Sequence, residues 1–178
     1  MNFKQNSTKL AFGAGILVVF AGLTVPAYAE TSTSNMAVTS NIGMNCTIST
    51  GDISFGAYKP TTDHLTVALE AEGSVTTRCT VGSSGKIIIG EGLDPDDDSS
   101  PANPLRRMGG PSDGDYLAYQ VYSDSDRQTV WTAFGDTGVE YNANGSDQVM
   151  PVYASITAGQ TDSPQGSYSD TLVVTVNY

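Results

Sequence analysis

The residues best suited to chemistry in this 178-residue sequence are one histidine, His64, and two cysteines, Cys46 and Cys79. A catalytic thiol needs a neighbouring base, and His64 is the only histidine that could act as one. This inventory excludes most zinc sites and every site built on a histidine cluster. Since the sequence also lacks a nucleophile elbow, a phosphate loop and a dinucleotide fingerprint, we predict no catalytic residue, no metal and no cofactor. We expect His64 to be exposed and to have no role.

The run Asp94–Asp98 invites comparison with calcium-binding loops. It fails as an EF-hand, because Ser99 stands where the glycine is required and Leu105 where the last carboxylate is required. We favour a solvated acidic loop, with an irregular calcium site as the alternative. The dibasic pair Arg106–Arg107 is expected to offset this acidic loop or to pack its stems on a sheet, with docking of an anionic group as the alternative.

The charge and the first segment restrict the compartment and the partners. The net charge of −11 argues against a nucleic-acid partner, which needs a basic face. Residues 1–29 have the form of a secretory signal peptide, with Lys4 and Lys9, an apolar stretch from Leu10 to Val25 and the small-x-small sequence Ala27–Ala29. The alternative is a membrane anchor, which needs about 20 apolar residues. We expect an exported chain of net charge −13 without a membrane span after residue 29.

Export changes the meaning of the two cysteines. In an oxidising compartment, Cys46 and Cys79 are expected to form a single disulfide. A reactive thiol beside His64 is the alternative.

The elements that must position these residues are short strands. Strand patterns occur over residues 36–44, 46–49, 53–56, 65–69, 74–81, 86–90, 116–122, 129–131, 148–157 and 168–178. Loops are expected over residues 91–115 and 135–144. No segment sustains a 3.6-residue period, so helices should be short or absent. We predict one antiparallel β-sandwich domain.

Two strand faces and the single tryptophan are the predicted core. Leu117, Tyr119 and Val121 should share one face, and Trp131 should lie in the core or at its edge. In the strand 148–157 the apolar face is formed by Met150, Val152, Ala154 and Ile156.

Several segments in this order resemble a known family. They are the alternating N-terminal segment, Cys46-Thr47-Ile48, Ile53-Ser54-Phe55-Gly56, Val75 to Cys79, Leu117 to Asp124, Met150 to Ala154 and Gly166 to Tyr178. Together they are similar to the spore coat protein U domain, the domain of archaic (Csu-type) chaperone–usher pilin subunits. The resemblance covers essentially all of the chain after residue 29. Its most specific parts are the Gly-x-Tyr-x-Asp-Thr-Leu terminus and the spacing of the two cysteines.

This resemblance implies an incomplete immunoglobulin-like antiparallel β-sandwich that is completed by a donor strand. Residues 30–44 would be the donor-strand segment and residues 45–178 the pilin domain. A periplasmic chaperone would first supply the missing strand, and at the outer-membrane usher the N-terminal segment of the next subunit would replace it. The implied product is a head-to-tail polymer of identical or related pilins, a surface pilus for adhesion and biofilm formation.

The resemblance also assigns roles to two sets of residues. The donor side chains would be Met36, Val38, Ser40 and Ile42, with the small Ser40 in a shallow pocket. The acceptor groove would be lined by a C-terminal strand that also faces the chaperone and contains Leu172, Val174, Val176 and Tyr178.

Two other functions remain alternatives at this point. One is a monomeric secreted module that binds a glycan or a metal through the acidic loop and the aromatic residues Tyr116, Tyr119, Tyr122 and Trp131. The other is a structural protein of a spore or cell coat.

Overall fold

The computed structural model describes residues 28–178, so the predicted signal segment lies outside the described residues except for its last two. The chain divides into two compact units, residues 1–40 and residues 41–178. In the first unit, residues 28–40 are exposed and contain no helix or strand. The strand predicted over 36–44 does not form, because an extended segment without a neighbouring strand has no partner for its backbone hydrogen bonds.

The second unit is built almost entirely from β-strands. Its described strands are β1 (Cys46–Gly51), β2 (Leu69–Cys79), β3 (Ser84–Ile89), β4 (Arg106–Gly109), β5 (Tyr116–Tyr122), β6 (Val139–Asn142), β7 (Gln148–Ile156) and β8 (Val174–Asn177). One sheet has the order β1-β2-β7-β5-β4 and the other has the order β6-β3-β8. Every pair of neighbouring strands is antiparallel. In the described residues the only helix is a 3-10 turn at Gly135–Thr137, and no helix is long and apolar enough to cross a membrane.

Alternation along the strands places the core between the two sheets. Leu117, Tyr119 and Val121 are buried on one face of β5, as predicted. The apolar face of β7 is also confirmed, with Val152, Ala154 and Ile156 buried. The core contains Val75, Cys79, Ile87, Ile89, Leu117, Tyr119, Val121, Trp131, Tyr141, Val152, Ala154 and Ile156.

Trp131 lies where the chain passes from one sheet to the other. Its backbone N–H donates to Val121 O of β5 at 3.0 Å, and the next residue, Thr132, accepts from the N–H of Ile89 in β3 at 3.1 Å. The indole Nε1 donates to Ile87 O at 2.8 Å, so the buried ring has its one polar group satisfied.

Several predicted boundaries are wrong. The loop expected over 91–115 contains β4, and the loop expected over 135–144 contains β6. The segments 53–56 and 65–69 were expected to be strands, but only Leu69 belongs to one, and residues 129–131 contribute a single bridge at Val130. The sequence of β4, Arg-Arg-Met-Gly, has no apolar alternation. This strand forms through its pairing with β5, which a local sequence pattern does not reveal.

Candidate functional site

An open groove with both apolar and polar lining residues lies within the second unit, and strands of both sheets contribute to its lining. Its volume is about 1060 Å³. The apolar lining includes Ile53, Phe55, Val75, Ile89, Met108, Leu117, Tyr119, Val152, Ile156, Leu172 and Val174. A groove of this volume with apolar residues in its lining is a candidate binding surface.

One wall of the groove is the segment that follows β1. After Gly51 the chain continues through Ile53 and Phe55 without joining a sheet, and both side chains are half-buried against the core. A Cβ on Gly73 would lie 2.6 Å from Ile53 Cγ1, so only glycine at this position of β2 lets the wall lie so close. The Phe55 and Tyr119 rings pack in a T-shaped arrangement, with 6.2 Å between their centroids.

Tyr58 attaches the end of this wall to the segment that follows β7. Its hydroxyl donates to Thr157 O at 2.7 Å and accepts from the N–H of Gln160 at 3.1 Å. His64 stacks on Tyr58 with 5.2 Å between centroids, and its Nδ1 accepts from the N–H of Lys59 at 2.9 Å. His64 is therefore half-buried and closes a loop, which corrects the expectation that it is exposed without a role.

The opposite wall is the C-terminal segment, which passes from one sheet to the other. Ser169 pairs with Gly109 of β4 through two hydrogen bonds of 3.0 Å, and Val173 O then accepts from the N–H of Gly90 at 2.8 Å. The crossing is held at Asp170, which lies between these two contacts. This is the Asp of the Gly-x-Tyr-x-Asp-Thr-Leu motif, to which the sequence assigned no individual role.

The carboxylate of Asp170 is surrounded by donors. Its Oδ1 accepts from the N–H groups of Leu93 and Thr171, each at 2.7 Å, and Oδ2 accepts from the Tyr119 hydroxyl at 2.6 Å. Burial, reinforced by the hydrogen bond to Asp170, raises the pKa of Tyr119. A Cβ on Gly92 would lie 2.1 Å from Oδ2, so this carboxylate also requires a glycine opposite. Tyr119 and Asp170 thus fix the wall to the core.

Arg106 joins the two sheets beside this wall. The pair was predicted to offset the acidic loop or to pack its stems on a sheet, and the Arg106 side chain is fully buried. Nη2 donates to Ile89 O at 2.7 Å and to Trp131 O at 2.8 Å, Nε donates to Gly90 O at 2.8 Å, and Nη1 contacts Gln120 Oε1. Burial lowers the pKa of Arg106 to about 10. Its donors are therefore directed at the protein's own carbonyls.

Arg107 fulfils the expectation made for the pair. It donates to Asp96 Oδ2 at 3.0 Å and to Pro95 O at 2.7 Å, and it lies 4.1 Å from the centroid of the Tyr116 ring. Asp97 and Asp98 are exposed, as expected for an acidic loop. Within residues 28–178, no three His, Cys, Asp or Glu side chains are grouped to hold a metal ion.

The predicted groove residues fall into two groups. Leu172 and Val174 line the groove. Val176 is half-buried against the core, while Tyr178 is 59% exposed, and neither lines the groove. β8 occupies the end of its sheet, so one of its edges has no partner among the described residues. Backbone donors and acceptors along this edge are therefore unpaired by the described strands, and the groove reaches β8 at Val174.

The predicted donor residues are exposed in the described structure. Met36, Val38 and Ile42 are exposed by 87%, 89% and 84%, and Ser40 is exposed as well. By contrast, Trp131 and Tyr119, which the glycan-binding alternative requires at the surface, are buried. Cys46 and Cys79 form the predicted disulfide.

The groove, the free edge of β8 and the order of the strands together define the fold as an antiparallel β-sandwich that lacks part of one sheet. The family model described as the Spore Coat Protein U domain matches residues 32–175. Protein U of Myxococcus xanthus is 35% identical over 184 residues, with 100% of both chains covered. The chain therefore belongs to the Spore Coat Protein U domain family.

A solved structure supports the fold independently. It is the CsuC–CsuE chaperone–tip adhesion subunit pre-assembly complex from archaic chaperone–usher Csu pili of Acinetobacter baumannii. A chain of that complex matches with a TM-score of 0.50 and 22% identity, over 76% of this chain and 40% of that chain. The present chain therefore spans less than half of the solved one. The predicted incomplete immunoglobulin-like antiparallel β-sandwich is confirmed.

Proposed function

We propose that this chain is a structural subunit of an archaic chaperone–usher pilus and that it polymerises by donor-strand exchange. The observation that carries this proposal is the apolar groove beside the unpaired edge of β8. A strand laid into this groove would satisfy the free backbone groups of β8 and cover the apolar lining at the same time. Membership of the Spore Coat Protein U domain family and the similarity to a chain of a pilus assembly complex are consistent with this role.

The proposed occupant is the N-terminal arm, residues 30–44, of a second copy. Its alternating side chains Met36, Val38, Ser40 and Ile42 would face the groove, since residues two apart in a strand point to the same side. From Met36 to Ile42 the extended arm spans about 20 Å, at roughly 3.3 Å per residue. The arm carries one charged residue, Glu30, which suits insertion between apolar walls.

Head-to-tail insertion does not close on itself, so it produces an open fibre. We propose that a chaperone covers the groove in the periplasm and that an outer-membrane usher exchanges it for the arm of the next subunit. The disulfide fits this route, because such bonds persist in oxidising compartments. The signal peptide over residues 1–29, the surface location and a role in adhesion and biofilm formation belong to the same proposal.

The direct test is to express the chain in a periplasm with and without residues 30–44. Polymers or chaperone-bound subunits are expected for the full chain, and loss of polymers for the truncated one. A stable monomer in both cases would refute the proposal.

A matched pair of substitutions tests which face of the arm inserts. Val38→Asp places a charge on the face assigned to the groove, so we expect assembly to be lost because the buried charge has no partner. Thr39→Asp adds the same charge on the opposite face and should still assemble. Fibres from Val38→Asp in normal yield, seen by electron microscopy, would contradict the assigned face.

A coat protein is the second candidate, and the family to which the chain belongs favours it. Strand exchange could also build a coat, so the two functions differ in where the polymer is found. Immunogold labelling of cells should decorate thin fibres for a pilus and a continuous layer for a coat.

A further inference from the structure

The base of the N-terminal arm is fastened to the end of β2 by several bonds. The N–H of Thr80 donates to Asn45 O at 2.9 Å, and Thr80 Oγ1 accepts from the N–H of Asn45 at 3.1 Å. The same hydroxyl lies 3.3 Å from both Gly43 O and Asn45 O, and it can donate to one of them at a time. The next residue, Cys46, is joined to Cys79 by the disulfide.

The position of this disulfide in the strand register is the key observation. Among the described strands, β1 lies at the edge of its sheet and pairs only with β2, through six residues from Cys46 to Gly51. Cys46 faces Cys79 in the first of these pairs, at the point where the arm enters the sheet. β2 is the longer strand, and on its other side it pairs with β7 over nine residues. The covalent link therefore connects the arm's base to an interior strand.

In a fibre held by inserted arms, tension enters each subunit at the base of its arm. Without the disulfide, a pull on the arm would open the β1–β2 ladder from Cys46, one residue pair at a time. Each hydrogen bond contributes a net free energy of only about 0.5–1.5 kcal/mol, so successive pairs would resist weakly. The disulfide sits at the pair where this peeling must begin.

Peeling of β1 would also damage the groove. Beyond Gly51 the strand continues into the wall that contains Ile53 and Phe55. Loss of β1 would disturb this wall and weaken its hold on the arm of the neighbouring subunit. A local opening at the base of one arm would thus weaken the next junction of the fibre.

We propose that the Cys46–Cys79 disulfide is a mechanical anchor, which carries tension from the arm directly into β2 and so keeps β1 and the groove wall in place. Thr80 is a positioning residue, which fastens Gly43 and Asn45 beside the disulfide. This proposal rests on the proposed head-to-tail fibre.

The test uses single wild-type fibres held at constant force in the presence of a water-soluble phosphine. The phosphine attacks one sulfur and breaks the S–S bond, and water then supplies the oxygen of the phosphine oxide and the protons of the two thiols. If the disulfide carries tension, each reduction should free the six residues of β1 and lengthen the fibre by up to about 20 Å. The frequency of these steps should rise with the applied force. A frequency that does not change with force, or no steps at any force, would overturn the proposal.

Two controls separate this result from other causes. Fibres without the phosphine should show no such steps, and fibres of the double variant Cys46→Ser, Cys79→Ser should lengthen at lower force without any reductant. Equal force–extension curves for the double variant and the wild type would also overturn the anchor. Absence of head-to-tail fibres would instead refute the proposed function, so the two failures are distinguishable.

Discussion

Tyr119 shows how one hydroxyl connects the core to the groove wall. Its ring packs in the core, and its hydroxyl donates to Asp170 at 2.6 Å. Both burial and this hydrogen bond raise the pKa of Tyr119 above its ordinary value of 10.0, because the neutral phenol is favoured. The folded protein therefore keeps this proton at a pH where the unfolded chain has lost it.

This linkage predicts a specific alkaline instability. The contribution of Tyr119 to the free energy of unfolding should be fully present below about pH 10. It should decline as the pH rises further, because the unfolded state then binds fewer protons than the folded state. We expect the difference in the free energy of unfolding between the wild type and Tyr119→Phe to shrink as the pH is raised from about 9 to about 12, the range in which a tyrosine titrates. Urea unfolding followed by the fluorescence of Trp131, the single tryptophan, measures this difference. A difference that stays constant with pH would contradict the assignment.

The two adjacent arginines offer a second test at the residue scale. Arg106→Met should remove the donors to Ile89 O, Gly90 O and Trp131 O and leave these acceptors without partners, at a cost of about 2–4 kcal/mol in the free energy of unfolding. Arg107→Met is the control, since its contacts lie on the half-exposed acidic loop and should contribute about 1 kcal/mol. Equal unfolding midpoints for the two variants would show that Arg106 does not join the sheets.

At the scale of elements, the sequence predicts strands whose signal is local. β5 and β7 alternate clearly because one face is buried, and their buried faces were identified correctly. β4 and β6 were missed because four-residue strands have too few positions to show a period, and their pairing partners are distant in sequence. The segment 53–56 has the right alternation and its apolar residues line the groove, but it pairs with no strand among residues 28–178.

The candidate site was predictable only in part, for a similar reason. Leu172 and Val174 follow from strand periodicity together with the family resemblance. The bond between Tyr119 and Asp170, the buried position of Arg106 and the stacking of His64 all join distant segments, so no local pattern reveals them.

Gly92 tests whether the crossing of the C-terminal segment depends on the close approach between this glycine and Asp170. Gly92→Ala places a Cβ 2.1 Å from Asp170 Oδ2 on a residue with φ of +95°, so it combines a clash with backbone strain. The control is Gly82→Ala, where φ is +84° but no atom lies within 4 Å. We expect the free energy of unfolding to fall by about 1 kcal/mol in the control, through backbone strain alone, and by about 2 kcal/mol more in Gly92→Ala. Urea unfolding compares the two variants, and equal losses would mean that the wall can move away from Gly92 at no cost.

At the scale of the whole molecule, charge is separated from the proposed interface. The chain carries a net charge of −11, and in the second unit acidic residues concentrate in loops such as 94–98. Glu30 is the only charged side chain in the arm, and most of the groove lining is apolar or uncharged. Insertion of the arm should therefore depend on apolar burial and strand pairing, whereas approach of two whole subunits is opposed by their like charges.

This separation predicts two different responses to salt. We expect a subunit that lacks residues 30–44 to capture a synthetic peptide of these residues at a rate that changes little between about 10 mM and about 300 mM salt. Over this range the Debye screening length falls from roughly 30 Å to below about 8 Å. Association of complete subunits over the same range should become faster, because salt screens the repulsion between acidic surfaces. Peptide capture can be followed by fluorescence anisotropy and subunit association by light scattering. If peptide capture instead slowed strongly with added salt, opposite charges would be guiding the arm, and an apolar insertion mechanism would be wrong.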